Sequence, residues 1–251
     1  MMQGIYIIWL RELKKYWRNK SRIVGGLGMP FFFLFIIGSG LDQAIDLPML
    51  GDTGYTSYIM PGIIGMVLLF SSVFNGVSVI WDKQFGFMKE LLVAPISRRR
   101  ILIGKTLGGA TTSVIQALIM LVISLFIGVR LQSVWGFLLS FVVMYLIAIS
   151  FVSIGAAIAS FMDDMHGFQL IVNFMIMPLF FLSGALFPLD AAPAWLQGLA
   201  YINPMTYGVE ALRYCFLGTS AIPFAVSILV MVVFFAVTVA IGTMSFRRMQ
   251  L

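Results

Sequence analysis

The feature that most constrains this chain is its long stretches without a single Asp, Glu, Lys or Arg. They cover residues 23–41, 53–81, 106–129, 131–162, 165–189 and 214–246. A helix crossing a bilayer needs about 20 apolar residues, at about 1.5 Å each across about 30 Å of hydrocarbon. Trimmed, the stretches predict spans near 23–41, 57–80, 104–129, 135–160, 168–187 and 222–246. A seventh uncharged stretch, 191–209, holds Pro193, Gln197, Asn203 and Pro204 and suits a lipid-facing helix poorly. The chain is 61% hydrophobic and 10% charged. No soluble fold of this length hides so much apolar surface, so the solvent is lipid. The fold class expected is all-α membrane protein, with six transmembrane helices.

Charge sidedness tests that count, because cytoplasmic loops collect Lys and Arg. With six spans and the N-terminus inside, the inner side carries Arg11, Lys14, Lys15, Arg18, Lys20 and Arg22. It also carries Lys83, Lys89, Arg98, Arg99, Arg100, Lys105, Arg247 and Arg248, making fourteen against two outside, Arg130 and Arg213. A seventh span would move Arg247 and Arg248 outside. Residues 189–218 are therefore expected to dip into the membrane from the outer side without crossing. A cleavable leader ending at Gly38-Ser39-Gly40 is the competing reading. Its basic region would be too long and too amphipathic, and cleavage would leave five spans. Pro30, Pro61 and Pro178 fall inside spans and are expected to kink them. Gly108-Gly109 and Gly155-Ala156-Ala157 offer small faces for close helix packing. Cys215 is the only cysteine. It permits no intramolecular disulfide and reads as a small apolar filler.

Two segments outside the spans are amphipathic. Wound at 100° per residue, residues 5–18 put Ile5, Tyr6, Trp9, Leu10, Leu13, Tyr16 and Trp17 in one arc of about 140°. Arg11, Glu12, Lys14, Lys15 and Arg18 fill the opposite arc, and Ile7 and Ile8 are misfits there. Residues 1–22 are thus expected to form an interfacial helix lying among the headgroups. The second segment is WDKQFGFMKELLVAPISRRRILIGK, residues 81–105. Trp81, Phe85, Phe87, Met88, Leu91 and Leu92 share one arc of about 160°. Asp82, Lys83, Lys89 and Glu90 share the other, with Gln84 the exception. Pro95 ends the helix. Ser97-Arg98-Arg99-Arg100 then leads into the third span. A headgroup-binding loop accounts for the arginines. A polar face of mixed sign suits a protein partner better. Gly104-Lys105-Thr106 imitates a phosphate-binding loop, but Arg99 stands where that loop needs glycine, and no strand precedes it.

These residues resemble the permease subunits of ABC-2 type exporters. Such chains carry E-L-L-x-A-P-I-S-R-R between their second and third spans, matched here by residues 90–99. They also carry N-P-x-T-x-x-x-E-x-x-R before the last span, matched by Asn203, Pro204, Thr206, Glu210 and Arg213. The resemblance runs over nearly the whole chain. Its closest flavour is the drug-resistance and nodulation-factor export branch. It implies a six-span permease domain over residues 23–251, with cytoplasmic termini, in the cell (plasma or inner) membrane. It implies a second permease chain, identical or paralogous, and a separate ATP-binding subunit that holds the ATP and Mg, with no cofactor in this chain. It implies a coupling helix over 82–95. Asp82, Lys83, Phe85, Phe87, Met88, Glu90, Leu91, Leu92, Pro95, Arg98 and Arg99 would be its docking residues.

The outer motif also has a direct physical reading. Asn203 is a good N-cap, and Pro204 fits the first helical position. Glu210 and Arg213, three apart, share a helix face and can pair. That pair is either a structural tie or an outer gate for release. Trp195, Tyr201, Tyr207 and Tyr214 read as an interfacial belt. Asp42, Asp46 and Asp52 read as a solvated acidic loop, and Asp163, Asp164 and His166 as a short cytoplasmic turn. An intramembrane serine protease would need its histidine at membrane depth, and His166 is the only one. An ATP-independent secondary transporter or channel would place ionisable groups mid-span. The uncharged stretches favour an amphiphilic cargo (a drug, a lipid or a lipid-linked glycan) moved by an outside energy source.

Overall fold

The computed structural model describes residues 3–42, 54–87 and 97–248, and all that follows concerns those residues. Asp46, Asp52, Met88, Lys89, Glu90, Leu91, Leu92 and Pro95 lie outside them. The described residues form helices joined by turns, with no strand among them. Helix α1 is Gln3–Arg18. Asn19 breaks it from α2 and caps the new helix by accepting the Arg22 amide proton at 3.1 Å. Helix α2 is Lys20–Phe32, continued by a π-helical turn Phe33–Gly38 and a last turn Ser39–Asp42. The wide turn begins three residues after Pro30, which supplies no amide proton to the ladder.

Helices α3 (Gly54–Phe74) and α4 (Val77–Gln84) form one rod of 31 residues. At its joint the bonding tightens from i−4 to i−3: Gly76 N–H bonds Val73 O at 2.9 Å, and Val79 N–H bonds Gly76 O at 2.9 Å. Helix α5 (Arg98–Phe126) and helix α6 (Val134–Ser160) follow. Helix α7 is Met165–Phe181. A 3-10 turn, Leu189–Ala191, leads to α8 (Ala194–Ile202), α9 (Pro204–Leu217) and α10 (Phe224–Arg248).

Five of these helices are long and apolar enough to cross a membrane: Lys20–Leu41, Gly54–Gln84, Arg98–Phe126, Val134–Ser160 and Phe224–Phe246. The span expected near 168–187 is instead the 17-residue α7. Pro178 stands in its last turn, and the chain leaves the helix at Leu182. In the most apolar window of each rod, 83% of Gly54–Gln84 is buried, against 17% in Lys20–Leu41 and in Phe224–Phe246. The α3–α4 rod is therefore the core, and α2 and α10 turn most of their side chains outward. Rod and α6 cross at Gly76 and Gly155, where a Cβ on either glycine would strike the other helix's backbone. Serines inside α6 return their hydroxyl protons to its own carbonyls, as Ser150 does to Leu146 at 2.6 Å, so they cost little in an apolar layer.

Two local expectations are corrected. Helix α1 packs against α5 through the misfit Ile8 and through Glu12 as well as through Trp9, which donates to Thr111 Oγ1 at 3.1 Å. Gly104 and Gly108 of α5 lie under Ile8 and Glu12 and let the helices meet closely. The misfit Ile8 is 3% exposed while Tyr6 and Trp17 are 57% and 58% exposed. The expected helix 82–95 is also interrupted among its described residues. Helix α4 ends at Gln84, and Gly86 has φ +73°, a left-handed turn that glycine adopts without strain. Arg98, Arg99 and Arg100 form the first turn of α5 rather than a collar ahead of it.

Candidate functional site

One end of the bundle carries the termini of α1, the foot of α4 and the start of α5; it is called the basic end below. There the chain assembles a node of four charges from three helices: Arg11, Glu12, Asp82 and Lys105. Arg11 donates both guanidinium nitrogens to the Asp82 carboxylate, at 2.8 and 3.3 Å. Lys105 binds the same carboxylate from the other side. It also donates to the Ser78 carbonyl at 3.3 Å. Glu12 lies 3.7 Å from Arg11 and from Lys105. Asp82, Glu12 and Lys105 are 3%, 6% and 4% exposed. Two cations face two anions, so the node is buried without a net charge, the condition for tolerating charges out of water. Burial alone would lower the Arg11 pKa. Its hydrogen bonds and attraction to Asp82 outweigh burial and hold the pKa above the ordinary value, so this guanidinium stays charged.

The residues beside Asp82 extend the node. Lys83 donates to Ser160 O at 3.0 Å, Met162 O at 3.2 Å and Asp163 Oδ1 at 3.1 Å. It thereby satisfies carbonyls that the end of α6 leaves open. Gln84 donates to Asp163 O at 2.8 Å, and Trp81 donates to the Met165 sulfur at 3.2 Å. Arg11 lies 3.7 Å over the Phe87 ring, and Lys15 lies 4.9 Å over Trp81. Burial lowers the Lys15 pKa. The foot of α4 thus touches α1, α5 and the α6–α7 turn at once. Of the expected docking residues, Asp82 and Lys83 are turned inward, Phe85 is 82% exposed, and Arg98 and Arg99 are exposed.

On the basic-end side of the middle of the rod, Asn75 links three helices. Its amide donates to Ser71 O at 2.8 Å, Gly109 O at 3.1 Å and Ser113 Oγ at 3.1 Å. Its oxygen accepts from Arg22 at 2.9 Å. The search for charged residues passed over Asn75. An amide beside a glycine in an apolar run, with Thr112, Ser113 and Gln116 on a neighbouring span, was the available signal.

The opposite end holds the second node. Asn203 accepts the Met205 amide proton at 3.0 Å, capping α9, and donates to Leu179 O at 2.7 Å. Pro204 is at the first helical position, and Thr206 donates to Ala200 O at 2.7 Å. Arg213 pairs with Glu210. Arg213 also donates to Gly184 O at 2.9 Å and lies 4.2 Å from the Tyr58 ring. Glu210 accepts the Ala221 amide proton at 2.7 Å. Tyr55, at the start of α3, donates to Leu186 O at 2.7 Å. Glu210 and Arg213 therefore bind irregular backbone at Ala221 and Gly184, while Asn203 and Thr206 tie α9 to the ends of α7 and α8. Trp195, Tyr201 and Tyr214 stay exposed nearby, and Cys215 is buried. Asp164 caps α7, accepting the Gly167 and His166 amide protons at 2.6 and 3.3 Å.

Residues 3–217 match the family model described as ABC-2 type transporter. The inner membrane transport permease YadH of Escherichia coli strain K12 is 28% identical over 233 residues, covering 90% of this chain and 88% of YadH. Ycf38 of Cyanophora paradoxa, named as a transport permease, is 26% identical over 216 residues, 86% of this chain and 74% of its own length. YbhR of Escherichia coli strain K12, named as a multidrug ABC transporter permease, is 26% identical over 65% of this chain and 44% of its own length.

Proposed function

The chain belongs to the ABC-2 type transporter family, and from that premise we propose that it is the permease subunit of an ATP-driven exporter. A separate ATP-binding subunit hydrolyses ATP and docks on the segment around residues 82–95. A second permease chain, identical or paralogous, completes the pathway, and an amphiphilic cargo moves outward through it. The basic end faces the cytoplasm, in keeping with its Lys and Arg. Helix α7 and the residues after it make the sixth crossing: α7 starts beside Trp81 at the basic end, and Leu186 meets Tyr55 at the other. Residues 189–218 then belong to the outer face, with the Glu210–Arg213 node as an outer tie that must loosen when cargo leaves.

The observation that carries this reading is the foot of α4. The docking segment begins where Asp82 and Lys83 are bonded to α1, α5 and the end of α6. A push on that segment is received by four helices together. The test reconstitutes the chain with its ATP-binding partner. Glu90→Lys and Arg98→Glu are expected to leave membrane insertion intact and to separate ATP hydrolysis from export of a fluorescent amphiphile. Full-rate export by both variants removes the docking role. Export by the chain alone in vesicles without nucleotide would instead favour an ATP-independent transporter or channel.

A further inference from the structure

A cleft of about 420 Å³ opens at the basic end between α2, the α3–α4 rod, α5 and α7. Its far part is apolar, with Met29, Pro30, Met66 and Phe70. Its near part holds Arg22, Ser71, Trp81, Gln116 and Gln169. Arg22 is the only charged residue of the lining. Its one recorded side-chain bond goes to the neutral amide of Asn75. Among the described residues no carboxylate comes within 4 Å of it, and Glu12 acts on it only from farther away, whereas Lys105 of the neighbouring node has two carboxylates within that distance. A guanidinium has five N–H donors, and a half-buried one without an anion is an incomplete pair. Gly26 lets the Gln116 amide pack against the α2 backbone, and beside Gly25 the space is open, with nothing within 4 Å of a Cβ built there.

We propose that this cleft binds the acidic head of an amphiphile. A phosphate or carboxylate would complete the Arg22 pair, and an acyl or other apolar body would lie along Met29, Met66 and Phe70. The same head chemistry reaches the cleft from two sources, a phospholipid of the surrounding leaflet or a free anionic amphiphile such as a cargo. The inference rests on the permease reading only in placing the chain in a bilayer.

Trp81 lines the cleft and reports on it. The full chain carrying Trp9→Phe, Trp17→Phe, Trp135→Phe and Trp195→Phe is placed in vesicles without any ATP-binding subunit, so failure of ATP-driven export leaves the measurement unaffected. Phosphatidylglycerol with brominated acyl chains is expected to quench Trp81 at about tenfold lower mole fraction than brominated phosphatidylcholine, the ratio one charge-assisted hydrogen bond supplies. Arg22→Gln abolishes the preference, and Arg22→Lys retains part of it. Gly25→Phe fills the cleft while keeping Arg22, and reduces quenching by both lipids. Dodecyl phosphate is then added. If it restores the fluorescence, the cleft takes a free anionic amphiphile. If it does not and the lipid preference holds, the occupant is bilayer phospholipid. Equal quenching by the two lipids, a preference that survives Arg22→Gln, or quenching unchanged in Gly25→Phe overturns the proposal.

Discussion

The two charged nodes are built in opposite ways. The one opposite the basic end is a single pair, Glu210 and Arg213, set three apart on one helix, and its remaining hydrogen bonds go to backbone atoms of Gly184 and Ala221. The basic-end node takes its four charges from α1, α4 and α5 and is bonded mostly side chain to side chain. The Glu210–Arg213 pair has no spare charge among the described residues. Remove Arg213 and Glu210 stays buried without a cation; remove Glu210 and Arg213 keeps the Tyr58 ring but no anion. The basic-end node has redundancy, because Glu12 stands 3.7 Å from both cations that Asp82 holds. One arrangement fixes irregular backbone in place. The other keeps a joint between regular helices charged but neutral overall, and lets it redistribute.

The sharpest way to break this contrast is to delete one charge at each end. Glu210→Ala is expected to cost about 3–5 kcal/mol, the loss typical when a buried pair is broken from one side. Thermal unfolding of the purified chain reads it. Glu210→Ala with Arg213→Ala is expected to lose less than the sum of the two, and strict additivity would argue against direct pairing. Asp82→Ala is expected to cost less, about 2–3 kcal/mol, since Glu12 takes over part of the pairing. Asp82→Lys combined with Lys105→Asp is expected to recover some of that loss. If Asp82→Ala unfolds the chain as readily as Glu210→Ala, the redundancy argued for the basic end is wrong. Lys83→Met probes the edge of the node, and its expected cost is about 1 kcal/mol from the lost cap on α6. Asp164 gives the smallest effect. Its bonds to the Gly167 and His166 amides hold its pKa below the usual carboxylate value. The cap is therefore fully present above the unfolded pKa and is lost as pH falls through the folded one. A small acid-side loss of stability that is absent in Asp164→Ala checks the sign.

Five of the expected spans could be read from the sequence because span length follows from the thickness of a bilayer. The outer motif was readable too, since capping and i,i+3 pairing are local. The basic-end node was not. A helical wheel says which residues share a face, not what covers that face: Phe85 faces outward while Asp82 turns in toward Arg11 and Lys105. Which of the two happens depends on partners 71 and 23 residues away in the chain. Ile8 failed the wheel for the same reason, because its environment is set by Gly104 of α5. Gly86 marks a break in the segment 82–95 that amphipathic periodicity masks. Asn75 carries no formal charge, so an apolar run hides it although its amide bonds the neighbouring span.

The crossing at Gly76 and Gly155 leaves no side chain between two backbones. A rod held there acts as a seesaw with unequal arms. About 8 residues, or 12 Å, lie below the fulcrum toward Gln84, and about 22 residues, or 33 Å, lie above it toward Gly54. If the rod tilts without bending, each ångström of travel at the short arm becomes nearly three at the long one, where Tyr55 and Tyr58 meet the outer tie.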